Sequence, residues 1–406
     1  MSVDLRSRTD GAREPIDAER FFTDTLPTAL AANIDGIGPG ARWLELRPLT
    51  LEVDGVPWAL SWDGNQVTVD AGTAEHGAHA RITREQLDDL VSDQQTIMGF
   101  WTSGRLEQPT GRLGDLLDWW LVLRAALDHQ PIHTPGGISF VDRDGGPLDL
   151  GRSFRSDDDP AELRHFLEQT GFLHLEGVFT EEEMAQVSRE MDAAAPRYSL
   201  GDGNSWWAKT GDGDDRLVRM QAFDDESPAT AELVRDPRFL SLADIPADGH
   251  EWGKRPRNRI EALFKPIGIV QGISDVPWHK DCSLGRHSYE CCSLTVGISV
   301  TGADAVSGQL RVRPGSHRAL VWPAMEQPNC DLPTVDLPTC TGDVTIHLSC
   351  TLHMAQPPVE RERRVMYSGF ALPAFDPAAA AEARARLVAV REAAPVTVSQ
   401  PPGHTG

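Results

Sequence analysis

The strongest constraint on the fold is a series of extended, apolar segments that follow one another in the second half of the chain. They are rich in β-branched residues, and glycine, proline and aspartate turns separate them. The segments are RIEALFKPIGIVQG, CCSLTVGISV, GQLRVRP, GDVTIHLSCTLH and RRVMYSGFAL. No amphipathic helix pattern lies between them, as the crossovers of a parallel α/β sheet would require. The pattern therefore predicts a sandwich or a jelly roll.

Two residues able to bind a metal stand close together early in this region. His279 and Asp281 occupy positions i and i+2, so an extended backbone projects both side chains to the same face. A jelly roll brings remote strands together across its interior, and GDVTIHLSCTLH then offers His347 and His353 as a third donor. Two histidines and one carboxylate on one side of a metal are typical of non-heme Fe(II) oxygenases. The sequence therefore predicts a metal site with open positions for other ligands.

The third ligand is predicted to be His353, although strand alternation alone also allows His347. His353 ends its segment and is followed eleven residues later by Arg364 on the next extended segment. An arginine there can hold an acidic co-substrate by two parallel hydrogen bonds. Arg363 competes with it, but adjacent residues on a strand point to opposite faces, so only one of them can enter the site. We predict that this residue is Arg364.

The other histidines of this region, and the lysine between the first two ligands, are not expected to bind the metal. His287 lies in a polar loop and His317 in a PGSH turn, whereas His347 is expected to pack beside the ligands or support them. Lys280 should point away from the metal and lie at the surface.

The charge of the chain argues against several classes of function. There are 38 lysines and arginines against 61 aspartates and glutamates, a formal net charge of -23. Such a chain is not expected to bind nucleic acid or anionic membrane surfaces through its overall charge. No apolar run approaches the roughly 20 residues that cross a bilayer, and the first residues lack a secretory signal. We therefore expect a soluble, cytoplasmic protein without stable membrane insertion.

A change in composition divides the chain into two predicted domains. Its 406 residues suffice for two domains, each with its own core. Residues 129–159 are rich in proline, glycine and aspartate and are predicted to form a linker. An α+β domain over 18–128 and a mainly β domain over 160–375 flank it. Residues 1–17 are predicted to be flexible, and 376–406 to form a C-terminal helix and a disordered tail.

Both predicted domains carry local signals for their elements. Apolar residues at helical spacing and strand-like runs predict helices and a small antiparallel sheet in the first domain. Asp54-Gly55 is predicted to be a hairpin turn of that sheet. In the second domain, Thr180 and Glu183 stand at the positions of a capping box, which predicts the start of a helix.

The succession of motifs in the second domain resembles that of a known family. TGFLHLEGVFTEEE is followed by PWHKD, then RVRPGSH, then the distal histidine and arginine. Over roughly 155–375 the chain resembles the phytanoyl-CoA dioxygenase-like family of Fe(II)/2-oxoglutarate oxygenases. The resemblance implies a double-stranded β-helix (jelly-roll, cupin-like) core with flanking helices. It also implies iron bound by His279, Asp281 and His353, and Arg364 holding the far carboxylate of 2-oxoglutarate, to which we add Gln271 as a further candidate contact.

The first domain resembles a different fold. Its order of a helix, several strands and further helices over about 18–128 is similar to the sterol-carrier-protein-2-like (SCP2-like) fold. In that family the sheet and helices enclose an apolar tunnel for hydrophobic molecules. Trp101, Trp119 and Trp120 would then line the tunnel, or else they are ordinary core or interface aromatics.

The resemblance implies a reaction, while the substrate depends on weaker clues. 2-Oxoglutarate and O2 would be co-substrates, succinate and CO2 would be released, and an unactivated C–H bond would be oxidised, most simply by hydroxylation. Residues 201–223 are predicted to form a loop over the mouth of the site. There Trp206 and Trp207 would supply an apolar wall and Arg219 an anion contact. We expect a hydrophobic small molecule, such as a terpenoid, a steroid or an acyl compound.

Two other classes of function could use the same residues. A lipid-binding carrier whose oxygenase half is catalytically silent would need no iron. A zinc or manganese enzyme, such as an isomerase, would use the same His/Asp/His set for a different reaction. The complete ligand set and the arginine that follows it favour the oxygenase, and the sequence indicates no particular oligomeric state.

Overall fold

The computed structural model describes most of the chain. The described residues are 15–252, 260–272, 274, 276–282, 293–373, 377, 378, 381 and 385. His287, nearly all of the predicted flexible N-terminus, and most of the predicted C-terminal helix and tail lie outside them. None of the helices in the described part of the chain has the length and apolar character needed to cross a membrane.

Residues 15–128, called the N-terminal unit below, combine helices with a small sheet. The helices are α1 (Ala18–Arg20), α2 (Leu26–Ala32), α3 (Ile34–Trp43), α4 (Arg84–Val91), α5 (Ile97–Thr102) and α6 (Leu113–Asp128), with a π-helical turn at Phe21–Thr25. The strands are β1 (Leu49–Val53), β2 (Val56–Trp62), β3 (Val67–Ala71), β4 (Ala78–Ile82) and β5 (Glu107–Thr110). Their order in the sheet is β3-β2-β1-β4-β5.

The sheet of the N-terminal unit is mixed, so the prediction of an antiparallel sheet is wrong. β1 pairs antiparallel with β2 but parallel with β4. Because β2 already occupies one edge of β1, β4 pairs at the other edge. When the chain reaches that edge, it runs in the same direction as β1. Asp54 and Gly55 form the predicted hairpin turn, and both have the positive φ that such two-residue turns require.

Two of the three tryptophans considered for a lipid tunnel belong to the core. Trp119 and Trp120 are buried, and the indole Nε1 of Trp119 donates a hydrogen bond to the carbonyl oxygen of Arg47 at 2.7 Å. Trp101 is exposed. The two buried residues are therefore ordinary core aromatics, and the likeness to the SCP2-like fold stays a prediction.

The C-terminal part of the chain is mostly β. Its helices are α7 (Pro160–Thr170), α8 (Glu181–Ala194), α9 (Pro228–Leu233) and α10 (Pro237–Leu240). Its strands are β6 (Phe172–Leu175), β7 (Ser205–Thr210), β8 (Asp215–Met220), β9 (Glu251–Trp252), β10 (Glu261–Lys265), β11 (Ile269–Gln271), β12 (Ser293–Ser299), β13 (Leu310–Val312), β14 (Val335–Leu337), β15 (Val344–Leu348), β16 (His353–Ala355) and β17 (Arg363–Ala371). A large sheet has the order β11-β7-β8-β10-β17-β12-β15-β6, with β9 beside β17, and a small sheet has the order β14-β13-β16.

Helix α8 begins where the capping box predicts. The Thr180 hydroxyl accepts a hydrogen bond from the Glu183 N–H at 3.2 Å, and the Glu183 carboxylate accepts one from the Thr180 N–H at 2.7 Å. Both backbone donors would otherwise lack a partner inside the helix. This cap fixes the start of a helix that packs on the large sheet.

Two segments differ from their predicted form. GDVTIHLSCTLH is not one strand, because it leaves the large sheet at the end of β15 and enters the small sheet as β16. The predicted loop over 201–223 is instead the β7–β8 hairpin, which joins the large sheet through β10. It forms strands because Ala208, Val218 and Met220 alternate with more exposed residues and are buried.

The large sheet has an outer face covered by helices and an inner face turned toward the small sheet. On β17, Phe370 packs against Phe239 with ring centroids 5.2 Å apart, and Met366 contacts Thr230 of α9. On the other face, Thr295 of β12 donates a hydrogen bond to Asp281, next to the small sheet. The two facing sheets form the predicted jelly roll.

Candidate metal centre

The three predicted ligands come together between the sheets. The Nε2 atoms of His279 and His353 lie 3.6 Å and 3.5 Å from the same oxygen, Oδ1 of Asp281. The ligand atoms of all three residues lie within 4.8 Å of one another. The main chains of His279 and His353 exchange two N–H to carbonyl hydrogen bonds of 3.0 Å, which extends the small sheet and holds both histidines side by side.

Backbone contacts fix which ring nitrogen each histidine offers. Nδ1 of His279 lies 2.7 Å from the carbonyl oxygen of Pro277, and Nδ1 of His353 lies 2.9 Å from that of Thr351. A carbonyl oxygen only accepts, so each Nδ1 carries the proton and donates it. In the neutral ring each Nε2 therefore presents its lone pair toward the shared space, as metal-binding histidines commonly do.

Asp281 divides its two oxygens between the ligand cluster and the large sheet. Oδ1 faces the two histidines, while Oδ2 accepts a hydrogen bond of 2.6 Å from the Thr295 hydroxyl. The surrounding protein would raise the pKa of Asp281, but His353, His279 and His347 outweigh this effect and hold that pKa well below its usual range. The carboxylate is therefore anionic across the ordinary pH range.

The cluster opens to solvent on one side. The side chains of His279 and Asp281 remain 19% and 34% exposed, whereas His353 is 7% exposed. A metal held by these atoms would have protein on one side and free coordination positions on the other. This one-sided arrangement suits a centre that binds further small ligands.

His347 adjoins the cluster without belonging to the ligand set. Its Nε2 lies 3.5 Å from Oδ2 of Asp281, and its ring centroid is 4.2 Å from that of His353. The side chain is 1% exposed, and among the described residues neither ring nitrogen has a hydrogen-bond partner. Burial and the neighbouring His353 lower the pKa of His347 to about 4, so the ring is neutral. It stands beside the outer oxygen of the carboxylate ligand, where the sequence analysis expected a supporting residue.

Arg364 does not point into the space between the sheets, and the structure corrects its prediction. Its Nη1 donates to the Ser188 carbonyl oxygen at 3.1 Å, and its Nη2 lies 2.9 Å from Oδ1 of Asp192, both on helix α8. Alternation along β17 places Arg364 on the outer face with Met366 and Phe370, which pack against the helices. The guanidinium therefore ties α8 to the sheet.

Arg363 occupies the inner face instead. Its face of β17 includes Gly369, which lies directly opposite Thr295 of β12, and opposite residues share a face. Arg363 itself lies opposite Lys265 of β10, and both are buried. Within the described residues, Nε and Nη2 of Arg363 have no hydrogen-bond partner. A buried guanidinium is costly unless it is paired, so this position is suited to an anionic ligand.

From the sequence, Arg364 was preferred to Arg363 and Thr295 was not predicted, for different reasons. The segment RRVMYSGFAL has apolar residues in both alternating sets, so its pattern does not indicate which arginine faces inward. Thr295 had a usable signal, because LTVGIS places hydroxyls and a glycine at alternate positions. Gly297 is needed on that face, since an added Cβ would lie 2.8 Å from Thr345 Oγ1 and 2.9 Å from Tyr367 Cε1.

The remaining predicted site residues are distributed around the large sheet. Gln271 is exposed on the edge strand β11, with β7, β8, β10 and β17 between that strand and β12, which corrects its prediction. On the hairpin, the Arg219 guanidinium lies 4.0 Å above the Trp206 ring and its Nη1 is 3.0 Å from Glu261 Oε2. Trp207 donates from Nε1 to Ser205 Oγ at 2.9 Å. No contact between these tryptophans and the metal cluster is seen in the described residues.

Two further residues take structural positions. Lys280, expected at the surface, is fully buried, and its ammonium donates to the Ser316 carbonyl oxygen at 3.0 Å. The short extended segment that carries the ligands has protein on both faces, so the side opposite the metal is also enclosed. His317 is buried, with Nε2 3.0 Å from the Glu168 carbonyl oxygen, and burial lowers its pKa to about 3. It therefore packs the PGSH turn against α7.

The family of the C-terminal part follows from a direct match. Residues 167–365, which include the whole ligand set and Arg363, match the model of the phytanoyl-CoA dioxygenase (PhyH) family. This part of the chain therefore matches the phytanoyl-CoA dioxygenase family, as the order of its motifs predicted.

Individual relatives are more distant. Ectoine dioxygenases of Bordetella parapertussis and Bordetella bronchiseptica are each 25% identical over 161 residues, which is 40% of this chain. The chain spans about half the length of these curated relatives, 50% in both cases.

Solved structures that match this chain share little sequence with it. EctD from S. alaskensis, crystallised with 2-oxoglutarate and 5-hydroxyectoine, is 17% identical with a TM-score of 0.43, over 60% of this chain and 86% of that one. AviO1 from Streptomyces viridochromogenes Tue57 is 21% identical with a TM-score of 0.42, over 54% of this chain and 97% of that one.

Proposed function

We propose that this protein is a non-heme Fe(II)/2-oxoglutarate-dependent dioxygenase that oxidises a C–H bond of a small molecule. The observation that carries the proposal is the one-sided cluster of two imidazole Nε2 atoms and one carboxylate oxygen, in a segment that matches the phytanoyl-CoA dioxygenase family. This donor set fits Fe(II) and leaves positions for the co-substrates. The relatives that match part of this chain are named ectoine dioxygenases, and we propose the same class of reaction for this protein.

His279 Nε2, His353 Nε2 and Asp281 Oδ1 would hold the iron. Bound there, iron would supply redox chemistry that couples the reduction of O2 to oxidation of the substrate and to decarboxylation of 2-oxoglutarate to succinate and CO2. The chain contributes orientation: backbone carbonyls hold both rings, and the Thr295 hydroxyl holds Oδ2 so that Oδ1 stays directed at the cluster. Fixed ligands reduce the rearrangement needed when the metal binds.

Arg363 is the residue that we propose as the partner of the far carboxylate of 2-oxoglutarate. Its guanidinium is buried on the inner face with Nε and Nη2 directed at no acceptor among the described residues, and two parallel donors match a carboxylate. Lys265, across the strand pair, adds positive charge at the same place. Arg364 is already engaged with α8 and is proposed to have no role in co-substrate binding.

A comparison of the two adjacent arginines tests this proposal. Fe(II) and 2-oxoglutarate are titrated without O2, and the weak visible absorption band of the chelated co-substrate is followed. Arg363→Ala should weaken 2-oxoglutarate binding by at least about 30-fold, because truncating one member of a buried charge pair costs about 2–5 kcal/mol. Arg364→Ala is the matched control and should bind within a few-fold of the wild type.

The outcomes separate the alternatives. If Arg364→Ala weakens binding and Arg363→Ala does not, the assignment of Arg363 is wrong. If the wild-type protein binds Fe(II) but never develops the band, a metal enzyme of another class, such as an isomerase, replaces the dioxygenase. If the wild-type protein binds no iron, the catalytically silent carrier replaces the dioxygenase as the proposed function.

That the substrate is hydrophobic stays a prediction. The β7–β8 hairpin indicates that the substrate also carries polar groups. Trp206 offers an aromatic face, but Arg219 lies on that face and pairs with Glu261. We propose a small-molecule substrate that combines a carbon skeleton with polar groups able to reach this ion pair. Delivery of the substrate by an SCP2-like N-terminal unit is likewise retained as a prediction.

A further inference from the structure

The short strand that carries the first metal ligand has a neighbour on each side. One neighbour is His353, described above. The other is the segment 320–325, called the bracing segment here: the Met325 N–H donates to the Trp278 carbonyl oxygen at 2.9 Å, and the Lys280 N–H donates to the Pro323 carbonyl oxygen at 2.8 Å. His279 therefore lies between its fellow ligand and the bracing segment.

The side chains of the bracing segment point alternately into two cores. Leu320, Trp322 and Ala324 are buried in the core of the N-terminal unit, more than 190 residues away in sequence from helix α6. Val321 points the other way and packs with Leu352, which directly precedes His353. The bracing segment is thus clamped between the N-terminal unit and the ligand strands.

Trp322 makes the most specific of these contacts. Its indole Nε1 donates to Oδ1 of Asp118 on α6 at 2.8 Å. A Cβ added to Gly114, one turn earlier on α6, would lie 2.8 Å from Trp322 Cη2, so the ring lies directly against the helix backbone. A polar contact and close packing together fix both the depth and the rotation of the indole.

A second set of contacts joins the segment that follows α6 to the C-terminal part of the chain nearby. The His133 N–H donates to the Leu320 carbonyl oxygen at 3.1 Å, and His133 Nε2 lies 2.7 Å from Oδ1 of Asp331. The Gly136 N–H donates to the other oxygen of Asp331 at 2.7 Å. The segment after α6 therefore holds the bracing segment at its start through the Leu320 main chain, in addition to the contact of Trp322 with α6.

We propose that the N-terminal unit positions the metal-binding strand, with Trp322 and Asp118 as positioning residues that act through His279. The inference uses the metal site of the proposed function but not its reaction. Ligand strands in jelly rolls need neighbours to hold their register, and here one neighbour takes its position from α6. Loosening Trp322 should let residues 278–280 move and so weaken metal binding, as loss of outer contacts does at other metal sites.

Metal affinity tests the proposal without any turnover. Co2+ is titrated into the full-length apoprotein under anaerobic conditions, and the d–d absorption bands report both affinity and coordination. Trp322→Ala should bind Co2+ roughly 10–100-fold more weakly, with altered bands. Asp118→Leu should lower the affinity in the same direction, whereas Asp118→Asn, whose amide oxygen still accepts the indole N–H, should restore wild-type affinity and bands.

Trp58→Ala is the matched control. Trp58 is a buried tryptophan of the same core, stacked on Phe22, with no contact to the bracing segment among the described residues. It should lower the melting temperature but leave Co2+ affinity unchanged. The proposal is overturned if Asp118→Leu folds and binds Co2+ like the wild type, or if Trp58→Ala weakens binding as much as Trp322→Ala does. If the Trp322→Ala protein fails to fold, the two Asp118 variants decide the question. If the wild type never shows the 2-oxoglutarate band, the proposed function is wrong, but the Co2+ affinities still test the positioning role.

Discussion

At the residue scale, the two oxygens of Asp281 have separate tasks. Oδ1 faces the histidine nitrogens, and Oδ2 is held by Thr295 from the opposite sheet. His347 stands beside Oδ2 as a neutral ring. Because a free carboxylate can rotate and offer either oxygen, a donor on one oxygen selects the other as the metal ligand. The hydroxyl of Thr295 is the donor with hydrogen-bonding geometry at that position.

The role of Thr295 can be tested by an almost isosteric change. Thr295→Val removes the hydroxyl but keeps the branched shape, and it should weaken Co2+ or Fe(II) binding by about 10–100-fold. Thr295→Ser keeps the hydroxyl and should bind within a few-fold of the wild type. Calorimetric titration of the apoprotein measures both. Equal affinities for the valine and serine variants would show that the hydroxyl does not orient Asp281.

At the element scale, helix α8 links the sequence signals to the sheet that carries the site. Its start is set by the Thr180/Glu183 box, and its third turn receives the Arg364 guanidinium from β17. Arg238 also donates to the Glu183 carboxylate, with Nη2 2.6 Å from Oε1. This ion pair, opposed in part by burial, lowers the pKa of Glu183 to about 2. The helix is thus tied to its surroundings at both its first and later turns.

Removing the cap should destabilise the protein by a small, definite amount. Thr180→Ala deletes the hydroxyl that accepts from the Glu183 N–H and should lower the free energy of unfolding by about 1 kcal/mol. Thr180→Ser, which can make the same cap, should be close to the wild type. Urea unfolding followed by circular dichroism compares the variants. A loss as large in the serine variant as in the alanine variant would mean that the methyl group, and not the cap, matters.

At the scale of the whole molecule, Asp118 lies where the N-terminal unit meets the bracing segment. Burial raises its pKa to about 6, although the Trp322 indole donates to it and opposes this change. A pKa above the value of the unfolded chain means that the folded protein binds the proton more tightly. The contribution of Asp118 to the free energy of unfolding is therefore fully present below about pH 4 and is lost as the pH rises through about 6.

Asp118→Asn should therefore stabilise the protein in a pH-dependent way. At pH 7.5 the variant avoids a buried charge and should be more stable by up to about 3 kcal/mol, the equivalent of the pKa difference. Near pH 4 both side chains are neutral, and the difference should nearly vanish. Free energies of unfolding at the two pH values provide the measurement. A difference of the same size at both would contradict the assignment to ionisation of Asp118.

The juxtaposition of the candidate ligands was predictable in part because some of its information is local. His279 and Asp281 share a face at any i, i+2 spacing on extended backbone, and His353 ends a strand-like segment, so their chemistry follows from spacing and residue type. The capping box of α8 and the Asp54-Gly55 turn are equally local and are confirmed. The family resemblance rested on the order of such motifs, and it too is confirmed.

By itself, the sequence predicted the jelly-roll class, the candidate metal ligands that the structure brings together, and the family that residues 167–365 match. Only the tertiary structure decided that Arg363 faces inward and Arg364 outward, that GDVTIHLSCTLH divides between two sheets, and that the N-terminal unit reaches the metal-binding strand. Alternation tells which residues share a face but not which face is enclosed, because that depends on the helices and strands packed against it. The same holds for Trp322, whose partner Asp118 lies 204 positions away along the chain and meets it only once both cores have formed.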